Sequence, residues 1–201
     1  MSTEFEKFIR SERRILRRIA FHEIGHAVAM YVCYGNIERI DSISCDLEHP
    51  GTIHSNPIGN VEYIGKIIDD NHGFQFALNE ICYAIGGGLC EAMFCNNISE
   101  RIRNNKKYKF PIKGMKDDLQ DVERILLILG ATERKEINSF IVVSVRRLFP
   151  YFIKYEEKIR KLVDKALKED YYLSRIDFYE VFDEKLYKKE IARLRKKPKS
   201  K

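Results

Sequence analysis

The sequence predicts a mainly α domain with a small β-hairpin or sheet set beside its first helix. Three observations carry this expectation. Apolar residues recur at helical spacing through most of the chain. The only short apolar runs bounded by turn residues fall at 37–45 and 51–55. The 201 residues are 44% hydrophobic and 33% charged, which describes a globular protein with a charged, helix-rich surface.

The first helix is expected over residues 4–34. Ile15, Leu16, Ile19, Ala20, Ala27, Val28 and Met30 give it an apolar body, and Gly35-Asn36 supply the stop. Strands follow at 37–45 and 51–55, joined by a turn at His49-Pro50-Gly51; Ile37, Ile40 and Ile43 do not alternate as a regular strand would. After a looser stretch marked by Pro57, Gly59 and Gly65, a second long helix is expected over 73–96. It contains Gly86-Gly87-Gly88, and each helical glycine costs about 1 kcal/mol relative to alanine. Glycines kept there imply a close backbone approach or a kink. A helix from near Gly114 to Gly130 comes next, then one over 136–149, a break or kink at Pro150, and another over 151–169. Ser174 is placed to cap a last short helix carrying Phe178, Val181 and Phe182.

No repeat or linker divides residues 1–183, which are expected to form one domain. Residues 184–201 read as a basic, disordered tail, KLYKKEIARLRKKPKSK from Lys185 on, which concentrates the net charge of +6. Without an RNP-like, zinc-finger or helix-turn-helix pattern, nucleic acid is not an expected partner. Five cysteines without CxxC spacing argue against a disulfide framework or a zinc ribbon, and Cys82 and Cys90 read as small core residues. No apolar run approaches the ~20 residues of a membrane span, and no secretory signal is visible, so the expected location is the cytoplasm.

The chemistry concentrates at His22-Glu23-Ile24-Gly25-His26. On a helix, a spacing of four stacks both imidazoles on one face, where they can grip a single metal ion. Glu23 points about 100° away, within reach of the water that a metal activates rather than of the metal itself. Zn2+ with two histidines and a carboxylate base is the minimal set for hydrolysing an amide. A catalytic zinc takes three protein ligands. Ala29 and Val32 stand where a metzincin would have its glycine and third histidine, so the ligand must come from further on. Asp118, at the start of a later helix with an apolar inner face, is a candidate, with His49, His54 and His72 as lesser ones.

Three blocks in order, FHEIGHAVA at 21–29, GGGLCEAM at 86–93 and GMKDDL at 114–119, resemble the peptidase domain of FtsH-type ATP-dependent zinc proteases, with their HEAGH, GGRAAE and GASNDL segments. VRRLF at 145–149 and YEEKIRKLVDKALKED at 155–170 resemble that family's C-terminal helices, so the likeness spans about residues 10–183. It implies a helical zincin-like metallopeptidase fold, with His22, His26 and Asp118 as zinc ligands and Glu23 as the catalytic glutamate. It also implies that Glu91 orients a ligand or closes the site. The chain departs from the family where Gly88 replaces the arginine of GGRAAE and Asp117 the asparagine before the aspartate. Asn79-Glu80 resembles instead the NE segment of thermolysin-like enzymes, which would make Glu80 the third ligand; the glycine-rich block and tail favour Asp118.

The family's ATPase motor and membrane helices have no counterpart here. The nearest approach to a phosphate loop, GNVEYIGKI at 59–67, has one spacer residue too many and Ile67 where Ser or Thr would hold magnesium. The expected activity is zinc-dependent endopeptidase cleavage of unfolded or flexible protein, alone or with an unfoldase supplied in trans, and a homo-oligomer is a further expectation. The strand at 52–55 suits β-addition of an extended substrate. The alternative is a non-catalytic zinc-containing interaction module derived from such a domain.

Overall fold

The computed structural model describes residues 4–45, 52–55, 71–95, 116–131, 133–169 and 171–196. Its elements run α1 (Glu4–Tyr34), β1 (Ile40–Ser44), β2 (Thr52–Ser55), α2 (Asn71–Cys95), α3 (Lys116–Ile128), α4 (Arg134–Lys154), α5 (Glu156–Ala166), β3 (Tyr172–Ser174), α6 (Arg175–Phe182) and α7 (Glu184–Lys196). The class is mainly α with a small antiparallel sheet, as expected.

α1 and α2 form the central pair. α3 and α4 pack on α2, while α5 and β1 pack on α1. The crossing of the central pair explains the glycines. A Cβ built on Gly25 would lie 2.5 Å from Cys90 Cβ and 2.6 Å from the Gly86 carbonyl oxygen. One on Gly86 would meet Ala29 Cβ at 2.5 Å and the Gly25 oxygen at 2.8 Å. The backbones therefore touch at that level, and the propensity lost in α2 is returned as close helix contact. Around the crossing, Ile24, Val28, Ile81, Ile85 and Leu89 are buried, as are Cys82 and Cys90.

The sheet has the order β2-β1-β3, with both pairings antiparallel. A register shift between Ile40 and Ser42 lets Ile40 and Ile43 both turn inward, three apart, with Ile37 buried just ahead of the strand. That bulge is why the isoleucines do not alternate. β3 was not expected from the sequence: it has three residues, follows Tyr171 in the left-handed region (φ 61°) and pairs across more than 120 residues of chain.

Two expectations are corrected. The chain does not break at Pro150; α4 runs on to Lys154, and the break falls at Tyr155, which ends α4 and precedes α5. Pro150 itself is exposed, and the buried Leu148 and Phe152 on either side of it hold the helix together across the one hydrogen bond that it forfeits. The basic tail is not disordered from 184 on: α7 extends from Glu184 to Lys196. It is anchored by Asp183, which accepts from the Leu186 amide at 3.0 Å, and by Glu190 beside Arg175 at 3.7 Å. Ser174 caps α6 as expected, accepting from the Asp177 amide while Asp177 accepts from the Ser174 amide at 2.8 Å. Among the described residues, no helix is long and apolar enough to cross a membrane.

Candidate metal centre

α1 delivers His22, Glu23 and His26 to one place. Each offers a ligand-capable atom within 4.8 Å of the others, a grouping that could hold a metal ion. Glu23 and His26 are buried, and His22 is nearly so. The two rings meet edge to face, centroids 4.8 Å apart. They fit because α2 passes over them at Gly87, where a Cβ would sit 2.4 Å from His26 Nε2 and 2.8 Å from His22 Nε2. The absence of a side chain at Gly87 makes the room.

α3 brings Asp118 to the same point. Its Oδ2 lies 3.2 Å from His22 Nε2 and its Oδ1 3.4 Å from His26 Nε2. Donors about 2.0–2.2 Å from a shared tetrahedral zinc lie about 3.3–3.6 Å from one another, so the carboxylate and the two rings stand close to the separation of ligands of one ion. Asp118 Oδ2 is moreover buried and without a hydrogen-bond partner, although an imidazole nitrogen stands beside it. A buried carboxylate oxygen in that state needs positive charge beside it, from a protonated His22 or from a metal ion that takes the proton's place.

The far side of each ring is also engaged. His26 Nδ1 lies 2.8 Å from the Tyr83 carbonyl oxygen, which can only accept, so Nδ1 carries the hydrogen and Nε2 is left as a lone pair facing Asp118. His22 Nδ1 faces Glu91 Oε2 at 3.6 Å, and Glu91 Oε1 accepts from Arg18, with Nε at 2.8 Å and Nη2 closer still.

Electrostatics follow from this packing. Burial works against a charge on His22, but the carboxylates of Asp118 and Glu91 outweigh it and push the pKa up to about 10. Burial, with His22 beside it, takes His26 down to about 4. Burial lifts Glu23 to about 7, placing a carboxylate near the poise of a general base. Burial alone would raise Glu91 too, yet His22 and Arg18 hold it below the ordinary carboxylate range.

Glu80 is engaged elsewhere. Arg39 grips both of its oxygens, at 2.5 and 3.0 Å, and the Tyr34 hydroxyl donates to it at 2.5 Å. This pair ties α2 to the segment entering β1. The side chain of Asp117 lies outside the described residues, as do His49 and the side chains of His54 and His72. Sequence reasoning missed Arg18, the Tyr83 carbonyl and the particular role of Gly87. Arg18 could have been found from its position one turn before His22; the carbonyl, being main chain, leaves no trace in the residue type.

No protein-family model matches this chain, and no curated protein matches it significantly.

Proposed function

We propose that the chain is a zinc-dependent metalloendopeptidase of the FtsH type, acting in the cytoplasm on unfolded or flexible polypeptides. The observation that carries the reading is the Asp118 carboxylate, whose Oδ2 stands 3.2 Å from His22 Nε2 and whose Oδ1 stands 3.4 Å from His26 Nε2. His22, His26 and Asp118 would hold the ion, two neutral nitrogens and one carboxylate being a donor set suited to catalytic zinc. Zinc so bound supplies Lewis acidity, making a water nucleophilic near neutral pH and polarising the scissile carbonyl.

The remaining work falls to the protein. Glu23 takes the proton from the attacking water and passes it to the leaving amine, and its burial favours the protonated form that the second transfer needs. The Tyr83 carbonyl keeps His26 in the tautomer that presents Nε2. β2 lies at the edge of the sheet, and an extended substrate added there would be bound through main-chain hydrogen bonds with little sequence preference. The resemblance of the three motif blocks to FtsH-type proteases supports the same reading, and an unfoldase acting in trans would supply folded substrates.

The test is elemental analysis of purified protein together with cleavage of casein or a fluorogenic peptide. We expect one equivalent of zinc and cleavage abolished by chelation and restored by zinc. Zinc without cleavage would favour an interaction module; protein that never takes up zinc would end the proposal.

A further inference from the structure

The two imidazoles are oriented by different means, and one of them depends on a residue far from any reacting atom. His26 leans on a main-chain carbonyl, whose position α2 itself fixes. His22 Nδ1 faces the Glu91 carboxylate at 3.6 Å, a side chain whose rotamer the backbone does not set. Arg18 supplies the restraint. It stands one turn before His22 on α1, and both its Nε and Nη2 donate to the same oxygen, Glu91 Oε1. This leaves Oε2 turned toward His22 Nδ1. Convergence of two N–H groups of one planar guanidinium on Oε1 anchors that oxygen from a set direction, a restraint that a lysine ammonium does not reproduce.

We infer that Arg18 is a positioning residue of the metal centre, acting through Glu91 to set the ring of His22 for metal binding. Arg18 is half exposed and Glu91 largely covered, so the guanidinium reaches a carboxylate that the fold otherwise encloses. As a simple surface ion pair the contact would add little to stability, and its effect belongs in metal affinity. The inference rests on the metal-binding reading above.

The experiment measures the zinc dissociation constant of the full chain by competition with a chromogenic chelator, alongside melting of the metal-free proteins. Arg18→Met, which keeps the apolar stem, is expected to weaken zinc binding about 10- to 100-fold with unchanged metal-free melting. Arg18→Lys should fall between it and the wild type. Glu91→Ala should match Arg18→Met, and the double variant should be no weaker than Glu91→Ala alone, because Arg18 has no route except through that carboxylate. Zinc binding by Arg18→Met within about twofold of wild type would overturn the inference, as would a double variant showing the product of the two single losses. Should Arg18→Met not fold, the Lys variant decides, since wild-type affinity there removes the need for the fork. A wild type that does not bind zinc would sink the metal reading itself, a distinguishable result.

Discussion

Gly87→Ala isolates the metal centre from the fold. An alanine Cβ would lie 2.4 Å from His26 Nε2, 2.8 Å from His26 Cδ2 and 2.8 Å from His22 Nε2, about 1 Å inside ordinary contact. The imidazoles must withdraw by about that amount, whereas metal–ligand distances tolerate about 0.2 Å. Zinc affinity should therefore drop by more than the ~100-fold seen when a supporting group is lost. Stability should change far less. Overpacking costs about 1–3 kcal/mol, offset by up to about 1 kcal/mol of helix propensity gained on replacing glycine. The metal-free variant should accordingly melt within about 2 kcal/mol of the wild type. Gly86→Ala is the contrast, because its Cβ meets the Gly25 carbonyl at 2.8 Å and Ala29 Cβ at 2.5 Å, so it forces the helices apart and loses the fold. Chelator competition and thermal melting in excess chelator read both effects. A Gly87→Ala protein that binds zinc like the wild type would show that the two Nε2 atoms do not converge beneath α2.

Glu23→Gln should retain zinc and lose cleavage. In the metal-free protein it should also stabilise at pH 8 by up to about 3 kcal/mol: a carboxylate lifted from 4.5 to about 7 favours the fold below pH 4.5 and loses that favour as pH rises through 7. Urea melts showing the same difference at pH 4 and pH 8 would contradict this. Zinc affinity should fall about tenfold per pH unit from pH 8 to pH 6, since His22, at about 10, must release one proton to bind while His26, at about 4, is already neutral. A pH-independent dissociation constant over that window would refute it. Asp118→Ala should remove zinc, whereas Glu80→Ala should keep zinc and lose about 3 kcal/mol of stability, because Arg39 is left largely buried without its carboxylate. Elemental analysis with denaturant titration separates the two, and zinc loss in Glu80→Ala alone would reverse the assignment.

What could be read from the sequence was local. The end of α1 follows from Gly35, which takes a positive φ of 72°. Ser174 announces α6 because a cap needs only its own three neighbours. The close backbone approach behind Gly86 was legible, since glycine in a helix needs a reason. Long-range pairings were not. Nothing near Glu80 in sequence shows that Arg39 waits for it, and nothing near Tyr172 shows that β1 has a free edge to fill. Pro150 misled because proline disfavours a helix interior without forbidding it, and α4 carries it through on the packing of Leu148 and Phe152. At the centre, the spacing of His22 and His26 gave their common face, but Arg18 and Glu91 meet across 73 residues.

The acceptor that orients His26 is the oxygen of residue 83 rather than its phenol ring, so no codon change there can delete it. Half of the imidazole pair is thereby insured against mutation, and the other half is not. A saturation library at 83 should yield mostly metal-loaded proteins with graded activity, whereas libraries at 18 and 91 should divide into loaded and empty. A lineage that gave up peptidase chemistry would therefore be expected to show its first erosion on the His22 side.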